Sequence, residues 1–456
     1  MQLYLKLALG NVRRSARDYS VYFATLGFAA CLLYSFVAST DHLRAMGLSP
    51  EQLGVLGSAG DILQAFSVFT VLVFLFLVRY ANRFLLRRRK REFALYELMG
   101  MGRGATAFVL IAETALVGAC ALALGIALGG ALSPAFGAIA AFVFNVSWRP
   151  VFAFSAGSAF WTAGCFSVIF ALNALDGARN MTKRPLIELF FADRTPEVIR
   201  LGGRLARAGQ VALAAVLLAV VWGACLFQPI YFIAFIMPMG FAACVATALV
   251  ARLGASWWAD RARARAEAYW SGLRAFTVRQ VEARVSSSSM ALACVCVLIA
   301  AAVCMMVAGF AFSVGLRTPE MLSNGMSASL APIGYIGIFY GSAFLLSAVA
   351  VLSLQQLSGA ADARRAYGTL AQLGCDRIDM RSSVRAQVRL YFCAPLAGAF
   401  IHDLFGLVLV AFLSFALGVQ GFFAIVAGVL GFTVMLMAVY ALMTARAVER
   451  VVLSRV

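Results

Sequence analysis

Lysine and histidine are almost missing from this 456-residue chain: Lys6, Lys90 and Lys183 are the only lysines, and His42 and His402 the only histidines. None of the three lysines follows a glycine, so no Gly-x4-Gly-Lys-Ser/Thr loop can cradle a nucleotide phosphate. Two histidines are too few for a zinc cluster, and no Ser/His/Asp arrangement is present, so catalysis by this chain alone is not expected. Charge is scarce as well, at 13% of residues, where a soluble domain carries about 25%. What fills the space is apolar: 63% of residues are hydrophobic and the mean hydropathy is +0.89. A soluble chain of this length needs far more polar surface, which leaves an all-α integral membrane protein.

The ten cysteines show no metal or redox spacing. Nine, among them Cys31, Cys120, Cys294 and Cys393, lie in apolar stretches, where a thiol acts as a small hydrophobe. Cys375 stands apart in a polar segment and has no evident role. The net charge of +18 comes nearly all from arginine. Its confinement to alternate segments is a topology signal rather than a nucleic-acid footprint, with anionic lipid headgroups as further contacts.

Stretches of about 20 apolar residues are long enough to cross a bilayer. Ten occur, at 19–39, 62–78, 105–129, 150–172, 208–227, 230–252, 290–313, 334–355, 391–416 and 422–444. The first is too long for the apolar core of a cleaved signal peptide and reads as a retained helix. Only Gln228-Pro229 separates the fifth from the sixth; merging those two would swap the side of every later segment. With ten spans, segments 1–18, 79–104, 173–207, 252–289, 356–390 and 445–456 share one side and hold every Arg and Lys except Arg44, Arg149 and Arg317. That asymmetry puts both termini in the cytoplasm and the chain in the cell membrane. Residues 1–18, with Arg13, Arg14 and Arg17, and RPLIELFFADR within Gly177–Arg207 read as helices lying on the membrane surface. Trp257, Trp258 and Trp270 amid arginines fit membrane-edge anchors.

The most charged run is RRRKREFALYELMGMGR, Arg87 to Arg103, set between two apolar stretches. A second copy, DARRAYGTLAQLGCDR, surrounds Tyr367. Setting Gly100 against Gly374 pairs Phe93 with Tyr367, Tyr96 with Leu370 and Met99 with Leu373. Thirteen residues further on, Glu113 falls opposite Gln387. Upstream, LALGNVRRSARDYS (Leu7–Ser20) echoes LRAFTVRQVEARVS (Leu273–Ser286). Matching loop, following span and preceding amphipathic segment together indicate duplication. The chain divides accordingly into a four-helix repeat at 1–175, a linker and two-helix insert at 176–266, and a second four-helix repeat at 267–456 in the same orientation.

A basic run, the segment EFALYELMGMG and a span carrying an early Glu resemble the cytoplasmic coupling loop of FtsX-like permeases, the membrane subunits of MacB-type ABC systems. The order of repeat, insert and repeat is most similar to the bacitracin-type branch. Its large extracellular domain between spans seven and eight has no counterpart in the short segment Ser313–Ile333, and the loop between the first two spans, Thr40–Asp61, is short too. The resemblance implies a non-catalytic permease subunit, with ATP and Mg bound by a partner ABC ATPase in two copies and no cofactor in this chain. It implies that Glu92, Phe93, Tyr96, Glu97, Leu98 and Gly100, with Tyr367, Leu370, Leu373 and Gly374, form the two ATPase-coupling sites. Phe93, Tyr96, Leu98 and Met99 are then expected to seat in a groove on the ATPase.

Four intramembrane polar residues stand out. A charge at mid-membrane costs about 2.5–3.5 kcal/mol on insertion scales, so Glu113 is either a working residue (a latch between repeats or a contact toward the ATPase) or an interfacial one. Gln387 is its uncharged mate. His402 and Asp403 form a proton relay or headgroup grip, or face inward in a structural network. Arg44 and Arg317 either meet an anionic headgroup at a lateral cleft or are ordinary surface charges. Three functions stay open: extraction of a membrane-embedded amphiphile, with antimicrobial-peptide resistance as its setting; a mechanotransmitting scaffold acting on a histidine kinase or cell-wall hydrolase; and a proton-coupled carrier centred on Glu113, His402 and Asp403. The paired coupling loops count against the last.

Overall fold

The computed structural model describes residues 2–14, 16–38, 41, 71, 74–75, 78–79, 82, 89, 92–144, 154–183, 203–315 and 326–453. Among them the ordered elements are all helices. Among the described residues, eight helices are long and apolar enough to cross a membrane, and they coincide with eight of the ten apolar stretches; the first stretch corresponds to the shorter apolar helix Tyr22–Val37. The stretch at 62–78 lies mostly outside the described residues, as do the surface segment RPLIELFFADR and Arg44, Arg149 and Arg317. Helices are what a bilayer requires, because only they satisfy every backbone polar group within one segment.

Contacts divide the chain into two compact units, Met1–Pro196 with Ala328–Tyr335, and Glu197–Ser327 with Ile336–Val456. The first holds α1 (Gln2–Arg14), α2 (Ala16–Val37), α3 (92–98), α4 (Arg103–Ala131), α5 (Ser133–Phe144) and α6 (Ala156–Lys183). Helix α4 is its centre and packs against α1, α2 and α6. Its glycines set that packing: a Cβ on Gly125 would stand 2.6 Å from Ala30 Cβ, and one on Gly118 2.7 Å from the Phe170 ring. Small residues let helix backbones approach where no hydrophobic force drives them together.

The second unit holds α7 (Arg204–Phe227), α8 (Pro229–Ala234), α9 (Ile236–Arg263), α10 (Ala266–Trp270), α11 (Arg274–Ser313), most of α12 (Met326–Gln372), α13 (Arg377–Ala416) and α14 (Phe422–Leu453). The break expected at Gln228-Pro229 is present, with Gln228 ending α7 and Pro229 opening α8, and Phe235 interrupts the chain again before α9. The two insert helices α7 and α9 pack within this unit, against α13 and α11. Residues 252–289 are more helical than their charge suggests: α9 runs on to Arg263, and the amphipathic segment is the start of α11, which bends at Ser288 (φ −120°, ψ 19°). Trp258 packs on a small core of Ala259, Tyr269 and Val278, and Arg261 lies 4.7 Å from the Trp257 ring centre.

Polar contacts collect the arginine-bearing helix ends of this unit. Arg263, from the end of α9, pairs with Glu282 near the start of α11. Arg381 and Arg385, from the start of α13, reach Glu449 near the end of α14 at 3.1 and 2.5 Å. One end of the unit is therefore basic and cross-tied.

Candidate functional site

The two repeated segments are not open loops. Helix α3 gives way to α4 through residues 99–102, and α12 runs unbroken out of its apolar stretch to Gln372 before turning into α13 through residues 373–376. Both turns close in the same way. Gly100 N–H donates to Glu97 O and Met101 N–H to Tyr96 O, each at 3.0 Å; Gly374 N–H donates to Ala371 O and Cys375 N–H to Leu370 O, also at 3.0 Å. This pair of bonds is the Schellman cap, which needs its turning residue at positive φ. Gly100 and Gly374 have φ of 91° and 84°, a region glycine enters without steric cost.

In the first repeat a buried ionic hub sits behind the turn. Glu113, on the first turns of α4, is 0% exposed. Its Oε1 accepts from Asn11 Nδ2 at 2.7 Å, and its Oε2 accepts from Tyr19 OH at 2.6 Å and from the Arg89 guanidinium. Arg89 is itself only 1% exposed; it also donates to Tyr19 OH and holds Glu92 Oε2 at 2.6 Å. Its guanidinium lies 5.2 Å from the Phe93 ring centre, within cation–π range. Asn11 extends the hub to the turn, since its Nδ2 donates to Tyr96 OH at 3.1 Å. One carboxylate thus ties α1, α2, the α3 turn and α4. A buried carboxylate persists only when paired and hydrogen-bonded, and this one has both.

The second repeat builds the same junction from neutral hydrogen-bonding side chains, with the Arg284 cation close to the Tyr367 hydroxyl. Gln387, opposite Glu113, donates from Nε2 to Tyr367 OH at 3.0 Å, and Tyr367 OH lies 2.9 Å from Ser383 Oγ. Thr277, opposite Asn11, meets Ser383 Oγ at 2.7 Å. Ala363 occupies the step of Arg89, and Tyr367 that of Phe93. Burial pushes the Tyr367 hydroxyl above its ordinary pKa, so it stays protonated as donor and acceptor. Nearby, Arg284 reaches over Gly359 to Gln356 Oε1 at 3.4 Å.

The expected coupling residues therefore separate into two sets. Phe93, expected to enter a groove on a partner, and Tyr367, expected in the second coupling site, are 0% and 1% exposed and are anchored inside their own units. The reason is packing: α1 with α4, and the start of α11 with α13, cover that face of the helix. Tyr96, Glu97 and Leu370 are half-buried, and Glu92 is committed to Arg89. What projects is Leu98 with Leu95 and Met99 in the first repeat, and Leu373 with Ile378 in the second. Asn11, Tyr19 and Arg89, with Thr277 and Ser383, were not singled out in the sequence. Their one visible signal is Ser383 and Gln387 at helical spacing, whereas Arg89 is hidden among the five consecutive basic residues 87–91.

His402 and Asp403 are apart from both hubs, in the middle of α13. His402 takes a hydrogen bond from Trp222 Nε1 at 3.2 Å and meets Thr247 Oγ1 at 2.9 Å, which fastens both insert helices to α13. Trp222 also stacks on Phe405 at 4.3 Å. Asp403 turns the other way, with Oδ1 at 3.6 Å from Cys304 Sγ.

Residues 65–181, which contain α3, the Gly100 turn and Glu113, match the family described as FtsX-like permease C-terminal. The chain is 26% identical over 191 residues to the bacitracin export permease protein BceB of Halalkalibacterium halodurans, covering 42% of this chain and 29% of that relative. It is 27% identical over 128 residues to the protein of the same name from Bacillus subtilis, covering 28% of this chain and 19% of the relative. To the ABC transporter permease protein YxdM of Bacillus subtilis it is 26% identical over 149 residues, which is 33% of this chain and 23% of the relative. The aligned stretches span less than a third of each relative. The chain is thus a multi-pass membrane protein that matches the FtsX-like permease family over residues 65–181 and is similar to bacitracin export permeases over the aligned stretches.

Proposed function

We propose, taking residues 65–181 as an FtsX-like permease region, that the chain is the membrane subunit of an ABC complex. It couples ATP hydrolysis in separate ATPase subunits to movement or extraction of a membrane-embedded amphiphile, with antimicrobial-peptide resistance as its setting. The observation that carries this reading is the pair of identically capped helix turns, each presenting exposed apolar side chains: Leu95, Leu98 and Met99 in one, Leu373 and Ile378 in the other. An apolar helix end of this kind suits a hydrophobic groove on a partner, the way short amphipathic helices are usually read. Two turns in one chain accommodate two ATPase copies, which together bind the ATP and Mg. Both turns lie in arginine-rich segments of the alternating charge pattern, so the positive-inside rule favours a cytoplasmic place for turns, ATPases and both termini. The short segments Thr40–Asp61 and Ser313–Ile333 leave little room for an independently folded module within them, which favours a ligand met in the membrane over a free soluble peptide.

The test is reconstitution in nanodiscs with a candidate ABC ATPase subunit from the same genome. ATP hydrolysis stimulated by a membrane-inserted amphiphile supports the reading. Equal stimulation by a soluble peptide without any target lipid defeats the choice of ligand, and absence of any complex with an ATPase defeats the assignment itself.

A further inference from the structure

Aligned hub positions change together between the repeats, among them Arg89 against Ala363, Phe93 against Tyr367, Val109 against Ser383, and Glu113 against Gln387. Each change alone damages a buried junction. A buried carboxylate without its cation is strongly unfavourable, a buried guanidinium without its anion equally so, and an amide needs a hydroxyl or similar partner. Together the changes are coherent, because a neutral amide among neutral hydroxyls needs no counter-charge. The structure bears this out in both directions. Arg89 and Glu113 pair at almost zero exposure in the first unit, while Gln387 and Tyr367 bond at 3.0 Å in the second, with Ala363 buried at the vacated step.

The attachments outward from the hubs also correspond. Asn11, near the end of α1, binds both Glu113 and Tyr96, so it joins the amphipathic helix to the turn and to α4 at once. Thr277, its aligned counterpart near the start of α11, joins the same three parts through Ser383, which contacts Tyr367 and Gln387. Both junctions lie about one helical turn or two behind the exposed apolar residues of the turns.

We propose that Glu113 and Gln387 are positioning residues that lock each repeat's capped turn to its own amphipathic helix, through an ionic hub in the first repeat and an interchangeable neutral hub in the second. The turn, the amphipathic helix and the start of the following span then move as one body. A push on Leu98 and Met99 is delivered to α1, whose Arg13 and Arg14 are exposed, and not to α4 alone. This goes beyond the assignment as an ABC subunit and holds whether or not an ATPase docks on the turn.

The test transplants the second hub into the first repeat. Spin labels are introduced as unnatural amino acids at the exposed Lys6 of α1 and at Met99 in the turn, in the full chain in nanodiscs without ATPase. The unsubstituted hub is expected to give a single narrow distance. Arg89→Ala, which strands the Glu113 carboxylate, is expected to lose that narrow distance or to fail to accumulate in the membrane. The combined variant Arg89→Ala, Phe93→Tyr, Val109→Ser, Glu113→Gln, which also supplies the counterpart of Ser383, is expected to recover both accumulation and the narrow distance. The proposal is overturned if Arg89→Ala keeps accumulation and the native distance, or if the combined variant is no better than Arg89→Ala. Because no ATPase is present, either result is separate from the fate of the docking assignment.

Discussion

Phe93 and Tyr367 stand at the same step of the two repeats and differ by one hydroxyl, and that hydroxyl carries the polar link which Arg89 supplies in the first repeat. Over Phe93 lies the guanidinium of Arg89, 5.2 Å from the ring centre. At Tyr367 the step of Arg89 is taken by Ala363, and its OH meets Gln387 at 3.0 Å and Ser383 at 2.9 Å. The same backbone turn is thus anchored by electrostatics once and by neutral hydrogen bonds once.

Removing the hydroxyl is the direct check. Tyr367→Phe leaves the Gln387 amide with only Ser383, at 3.4 Å. A buried polar group left poorly satisfied costs about 1–3 kcal/mol, so thermal unfolding in detergent should shift down by several degrees. Tyr96→Phe, at a half-buried hydroxyl that water can replace, should shift it less. The sign with pH follows from burial, which raises the Tyr367 pKa: its contribution is present below the ordinary tyrosine value of about 10 and is lost as pH rises beyond it.

The two capping glycines give a cleaner backbone experiment. A Cβ added at Gly100 or Gly374 meets nothing within 4 Å, so any cost comes from the positive φ and not from crowding. Alanine at either site should destabilise by about 1–2 kcal/mol, the left-handed penalty, and asparagine by less. Gly104, also open within 4 Å but inside the first turn of α4, is the control. Gly104→Ala should leave stability unchanged or raise it, by up to about 1 kcal/mol. Equal losses at Gly100, Gly374 and Gly104 would show that the turn geometry has no special weight.

The spans were legible because a bilayer imposes one requirement, an apolar helix of sufficient length, that sequence reports directly. The turns were legible too, since Gly100 and Gly374 sit where helix termination demands a residue free of Cβ. The division of labour within α3 was not. Phe93, Tyr96 and Leu98 are all apolar at helical spacing, and which of them is buried depends on where α1 lands. Arg89 lay in a run that charge counting treats as one block. Asn11 and Thr277 share neither charge nor shape, so only the folded chain brings out their equivalent places. His402 could be placed in a polar network or a relay from sequence; its partners Trp222 and Thr247 come from helices 180 and 155 residues away along the chain, beyond any local pattern.

Sidedness is open to a simple labelling experiment. The arginine-bearing helix ends of the second unit are cross-tied at one end, with Arg263 on Glu282 and Arg385 on Glu449. The positive-inside rule assigns that end to the cytoplasm. Cysteines introduced at Arg263 or Arg450 in a background without the native thiols should resist a membrane-impermeant reagent added outside intact cells. Cysteines at His42 and Asn324, in segments the charge pattern puts outside, should react. External labelling at Arg263 would reverse the topology.

Docking should follow exposure and not apolarity alone. Leu98 and Met99 are 57% and 75% exposed, and Leu373 is 76% exposed, whereas Phe93 and Tyr367 are buried. Aspartate at Leu98 and Met99 places charge where an apolar groove must close, yet leaves the hub of Asn11, Arg89 and Glu113 untouched. Leu373→Asp does the same at the second turn. Each should leave the chain folded in the membrane and weaken ATPase association about tenfold or more, since burying even one uncompensated charge at a protein interface outweighs about 1.4 kcal/mol. Combining both sites should abolish co-purification, because each turn contributes its own contact. Phe93→Asp should behave differently: it breaks the fold of the first unit, so accumulation in the membrane falls along with association. If the exposed substitutions leave ATPase co-purification at its original level while the chain stays folded, these turns are not the docking surface.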